Sequence, residues 1–177
     1  KALANAGFAE LPAFSAQALT KLDAIKNDFS EADAQRIKEF EATTNHDVKA
    51  VEYFIKEKFQ ADEELKKSAE FVHFACTSED INNMSHALML KATREQVILP
   101  TLGRVVSTLR NYAHQFADLP MMCRTHGQPA SPSTMGKEFA NVVHRLERAV
   151  AAIEAVELPA KMNGAVGNFN AHLSAYP

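Results

Sequence analysis

A chain of 177 residues, 46% hydrophobic and 23% charged, is long enough to bury a core and too apolar to stay disordered. Its net charge of −3 argues against general nucleic-acid or membrane-surface binding, and no apolar run reaches the length of a membrane span. Two cysteines, Cys76 and Cys123, are too few for a disulfide scaffold and fit a reducing compartment, so a cytoplasmic location is expected.

Lys1 is followed by no charged-then-apolar leader, and Pro177 directly follows an Asn-, Gly- and aromatic-rich stretch. A piece of a longer polypeptide is therefore expected. Gly and Pro are scarce and helix formers dense, which predicts helices nearly throughout. Ser30 and Asp33 resemble a capping box opening a helix to about Ala42. Asp47 or Asn45 is expected to cap the next helix, whose apolar face is Val48, Val51, Ile55 and Phe59. Asp62 is expected to open a third helix, carrying Leu65, Ala69 and Val72. Thr77 and Asp80 again stand at capping-box spacing, before a long helical stretch through Leu88, Val97, Val105 and Phe116. Pro100 is expected to kink that stretch or split it. Residues 118–132 read as loop. Ser131 and Pro132 are expected to cap and start a helix that Pro159 ends, striped by Phe139, Val143, Leu146 and Val150. Strand signals are weak. The fold class is all-α, with helices long enough for a bundle and broad enough in their apolar stripes to seek partner helices from other subunits.

Three polar nodes interrupt this pattern, each read as lying near a helix start. Thr77-Ser78 either caps its helix or offers hydroxyls and the positive end of the macrodipole to a carboxylate or phosphate. In Asn45-His46-Asp47, Asp47 is either a cap or the group that orients the His46 imidazole toward an anion. His126 sits in Arg124-Thr125-His126-Gly127-Gln128-Pro129-Ala130. Its setting serves no regular element, and an imidazole there can exchange a proton with a ligand near neutral pH. His73 is expected to face the core, while His86, His114 and His144 are expected on helices, at the surface or at an interface. His73 and Cys76 have metal-ligand spacing, but further ligands are not clustered near them, so no metal and no cofactor is expected.

Four runs carry a resemblance. Thr44–Tyr53, Phe74–Asn83, Arg124–Ala130 and Lys161–His172 closely resemble, in that order, the bacterial-type adenylosuccinate lyase family of the fumarase/aspartase superfamily. The likeness extends from about Ala13 to the end. It implies a long-helix bundle of the L-aspartase-like type, present here as a partial chain. Residues 1–66 would be the remainder of an N-terminal helical domain, and 67–177 the end of that domain and the start of a central bundle.

The resemblance also implies a β-elimination that releases fumarate from adenylosuccinate, giving AMP, and from the succinyl-aminoimidazole carboxamide ribotide of purine biosynthesis. His126 would be the general acid. Thr77 and Ser78 would bind the succinyl carboxylates, and Asn45, His46 and Asp47 the nucleotide part. The family's general base is a serine in a loop reading like S-S-x-M-P-x-K-x-N-P, which does not occur in these 177 residues, so the chain alone is expected to be inactive. The implied assembly is a homotetramer with active sites shared between subunits. The alternatives are another lyase of the superfamily, acting for example on argininosuccinate, and a non-catalytic helical oligomerisation module.

Overall fold

The computed structural model describes residues 1–176. The chain is 65% helical, as the all-α expectation requires, and it divides into two compact units. One comprises Lys1–Met84 with the segment from Lys161 onward, and the other Ser85–Ala160. Among the described residues, no helix is long and apolar enough to cross a membrane.

The first unit is built on short, individually capped helices. Ser15 caps α1 (Ala16–Asn27) by accepting from the Ala18 amide. Ser30 and Asp33 form the complete reciprocal capping box at the start of α2 (Glu31–Thr44), which satisfies two amides that have no partner inside the helix. Asn45 ends α2 in the left-handed conformation, at φ 51°. The following helix, α3 (Asp47–Phe59), is capped by neither residue proposed for it. His46 is its N-cap, and the imidazole accepts from the Lys49 amide. Asn45 is committed to the turn, and Asp47 is already the first helical residue.

Asp62 caps α4 (Glu63–Lys67), accepting from the Glu64 and Leu65 amides. The helix expected to continue through Val72 stops at Ser68, whose hydroxyl donates to the Leu65 carbonyl. A 3-10 turn, Ala69–Phe71, follows. Such side-chain bonding to the preceding turn competes with helix propagation. Ala18, Phe59, Leu65 and Ala69 form the buried core, with Leu22 and Ile55 packed against it. α2 pairs with α3 from outside through Arg36–Glu57, Lys58–Asp33 and the Phe40–Tyr53 contact.

α5 (Ser78–Thr93) is followed by a π-helical turn at Arg94–Ile98 and then α6 (Leu99–Gln115). Pro100 falls in the first turn of α6. The Leu99 amide reaches back to Arg94, and this wider turn just ahead of Pro100 keeps the stretch continuous, so of the expected kink or split the split does not occur. In the second unit α6 packs on α7 (Met135–Glu154). Gly136 permits this approach, since a Cβ there would lie 2.3 Å from the Ala113 carbonyl oxygen. Tyr112, Phe116 and Phe139 stack beside it, and Arg110 pairs with Glu147.

The 118–132 segment is not plain loop. β1 (Pro120–Met121) pairs antiparallel with β4 (Ser133–Thr134), and β2 (Arg124–Thr125) with β3 (Gln128–Pro129). Two-residue ladders are too short to show strand periodicity in sequence. The β1–β4 pairing keeps Ser133 and Thr134 extended. α7 therefore begins at Met135 with Thr134 as its cap, rather than at Ser131-Pro132. It ends at Glu154, well before Pro159. A final short helix, α8 (Asn170–Ala175), belongs to the first unit.

Candidate functional site

The starts of α3 and α5 meet within the first unit. Lys49 donates its amide to His46 Nδ1 at 3.3 Å. On the far side of the ring, His46 Nε2 lies 3.2 Å from Ser78 Oγ. Beside this bridge, Asn82 Nδ2 donates to Asp47 Oδ2 at 3.3 Å. The other Asp47 oxygen accepts the Val48 amide at 2.8 Å. That amide bond is the leading reason the Asp47 carboxyl titrates below its ordinary value. His46 and Asp47 are both exposed, so the bridge forms a polar surface rather than a core network.

Beneath that surface lies a buried anchor. Asp80 has no solvent exposure. Its Oδ1 meets Lys161 Nζ at 2.8 Å and the Asn163 amide at 3.1 Å. Its Oδ2 accepts from the Thr77 amide at 2.9 Å and the Gly164 amide at 3.2 Å. Lys161, then the Thr77 and Asn163 amides, hold the carboxyl at about 2, below the ordinary 3.8. Asn83 adds a reciprocal pair, taking the Lys161 amide at 2.8 Å and donating to the Lys161 carbonyl at 3.0 Å. The start of α5 is thereby clamped to the Lys161–Gly164 loop.

This anchor changes what Thr77 offers. The Asp80 half of the expected capping box forms, and it takes up the Thr77 amide. By helix geometry, the amides remaining for an anion at the start of α5 are those of Ser78 and Glu79.

His126 lies in the second unit, and it stands at a hairpin tip rather than a helix start. His126 and Gly127 form the two-residue loop between β2 and β3. Both have positive φ, 52° and 76°, the signature of the turn that matches strand twist. Ala130 donates to the Cys123 carbonyl and closes the hairpin base. The imidazole is exposed, as is Arg124.

Sequence reasoning singled out Asn45, His46, Asp47, Thr77 and Ser78, which the first unit brings together at neighbouring helix starts. It missed Asn82, Asn83 and Lys161 as their supports, and it read Asp80 only as a local cap. The signal was present in part, because Asp80 and Lys161 both lie in the runs that carry the resemblance. His73 is half-buried in a turn, in the left-handed conformation at φ 65°. His86, His114 and His144 are exposed on helices as expected.

A family model described as a lyase matches residues 1–177, the whole chain. The chain belongs to this lyase family. It is 64% identical to the adenylosuccinate lyase of Vibrio cholerae over 177 residues, all of this chain and 39% of that protein. It is 58% identical over the same span to those of Haemophilus influenzae and Escherichia coli. This lyase chain thus spans about two-fifths of the length of these curated relatives. Solved structures show the same fold. A fumarate lyase from a Mesorhizobium species matches with a TM-score of 0.70 at 20% identity, over 89% of this chain and 36% of that one. The 3-carboxy-cis,cis-muconate lactonizing enzyme of Pseudomonas putida matches at 0.71 and 23% identity, over 98% of this chain and 37% of its own. Neither likeness extends beyond the fold. The all-α fold class stands on these matches.

Proposed function

We propose that this chain is part of an adenylosuccinate lyase that releases fumarate from adenylosuccinate and from the succinyl-aminoimidazole carboxamide ribotide. The observation that carries this reading is the 64% identity to the Vibrio cholerae enzyme across all 177 residues. The polar junction of exposed His46 and Asp47 with half-buried Ser78 supports it.

In the reaction a base removes a proton from the carbon beside a succinyl carboxylate. Electrons of that C–H bond form the new C=C bond, and the C–N bond breaks toward nitrogen. Fixed donors on the carboxylate stabilise the carbanion-like intermediate, and an acid protonates the departing nitrogen. His126, exposed on a rigid turn, is the acid. Thr77 and Ser78 hold the succinyl carboxylates. Asn45, His46 and Asp47 meet the nucleotide part. The base is a serine outside these 177 residues. No step calls for a metal or cofactor.

The working form in this proposal is a cytoplasmic homotetramer whose sites combine residues of several subunits. Residues 1–66 belong to an N-terminal helical domain, and 67–177 complete it and begin the central bundle. The experiment is fumarate release by the full-length protein, offered adenylosuccinate and argininosuccinate in parallel. Turnover of adenylosuccinate alone supports the reading. Turnover of argininosuccinate alone replaces it with the other lyase. Inactivity toward both, in a folded protein, removes it.

A further inference from the structure

We infer that His46 is a positioning residue, held as its Nε2–H tautomer, which makes the Ser78 hydroxyl a hydrogen-bond donor toward a carboxylate ligand. The inference rests on the proposed function for the identity of that ligand, and on the geometry of the α3–α5 junction for everything else.

The chain of reasoning starts at a backbone amide. As N-cap, His46 must offer a lone pair to Lys49 N–H, and it does so through Nδ1 at 3.3 Å. A backbone amide can only donate, so Nδ1 carries no proton and the neutral ring holds its proton on Nε2. Asp47 Oδ1 also lies 3.3 Å from Nδ1. Two acceptors do not bond, and that oxygen already takes the Val48 amide at 2.8 Å. The Thr44 hydroxyl donates to the His46 carbonyl at 3.1 Å and steadies the cap.

The polarity then passes across the ring. Nε2–H points to Ser78 Oγ at 3.2 Å, so Ser78 accepts from His46. A hydroxyl has one proton, and that proton is left to point away from the imidazole. Ser78 opens α5, where the macrodipole and the nearby amides also favour an acceptor. The direction of every bond from Lys49 outward therefore leaves the hydroxyl proton free for a ligand that accepts, such as a carboxylate. Asn82 to Asp47 holds the two helix starts in this register.

Asparagine and glutamine separate the two jobs of the ring. His46→Asn keeps an acceptor near the Nδ1 position and remains a good N-cap, but it is too short to reach Ser78. His46→Gln keeps an N–H near the Nε2 position. The test uses the full-length protein, with nitrogen-15-labelled histidine and fumarate as the binding probe. The expected spectrum shows His46 protonated at Nε2 alone. His46→Asn should melt close to wild type yet bind fumarate roughly ten-fold more weakly, the loss of one hydrogen bond to a charged group. His46→Gln should recover most of that affinity. A proton on Nδ1, wild-type fumarate affinity in His46→Asn, or no fumarate binding by the wild type would each overturn the inference. If the protein shows this pattern with fumarate yet does not turn over adenylosuccinate, the tautomer assignment stands and only the substrate assignment falls.

Discussion

Lys161 Nζ sits 2.8 Å from Asp80 Oδ1, and this pair fastens a late loop of the chain to the first turn of α5. The carboxylate is sealed from solvent, and two amides of the loop, Asn163 and Gly164, complete its bonding. Desolvating the carboxylate costs more than its attraction to the half-exposed Lys161 returns unless its lone pairs are satisfied, and here the amides do that. The pair therefore fixes where Thr77 and Ser78 stand more than it adds net stability.

Removing one partner of such a pair is costly, because the other charge is left without its counterpart. Asp80→Asn is expected to lower the melting temperature of the first unit by ~10 °C. Differential scanning calorimetry checks this, and an unchanged midpoint would show the pair to be incidental.

The same carboxylate shapes the acid limb. Its folded titration near 2 lies below the ordinary 3.8, so the folded state favours the ionised form. That contribution is complete above the ordinary value and disappears as pH falls toward 2. In Asp80→Asn the stability difference from wild type should shrink steadily over this window. Urea midpoints measured across it test the sign, and a difference that grows on acidification would contradict it.

Gly136 is the contact point of α6 and α7. A methyl group there would lie 2.6 Å from Ala117 Cα as well as against the Ala113 carbonyl, and neither backbone can yield without separating the helices. Gly136→Ala should cost about 1–3 kcal/mol in chemical unfolding of the second unit. Ala at an exposed helical glycine without such contacts would be stabilising, so the sign of the change is diagnostic.

At the hairpin tip, Gly127 adopts φ 76° with no neighbour against a Cβ. Gly127→Ala is therefore a pure conformational test, with an expected cost of about 1–2 kcal/mol from the left-handed backbone. Asparagine in place of His126, by contrast, suits this turn, since Asn-Gly is the preferred pair for it. Amide exchange at Ala130, which closes the hairpin, should quicken in Gly127→Ala and stay near wild type in His126→Asn.

Much of the first unit was legible because its signals are local. The Ser30–Asp33 box and the Asp62 cap are read from residues three apart. The cap of α3 was misread because Asn and Asp flank it and are commoner caps than histidine, and only the left-handed turn at Asn45 shifts the boundary by a residue. The start of α7 was misplaced because Thr134 is held extended by pairing with Pro120, a contact no local window contains. Asp80 shows both sides. Its bond to the Thr77 amide is local and was expected, whereas its burial against Lys161 depends on tertiary folding. His126 stood out by composition, but its turn type required φ values that Gly127 only hints at.

The most direct measurement is fumarate release from adenylosuccinate by the full-length protein, wild type beside His126→Asn. The substitution keeps the hairpin turn and removes only the imidazole. The expected result is an active wild type, and a variant of unchanged melting temperature slowed roughly 10²- to 10⁴-fold, the contribution of a positioned general acid. A variant as fast as wild type would take the acid role from His126, and a folded wild type that releases no fumarate would contradict the lyase assignment itself.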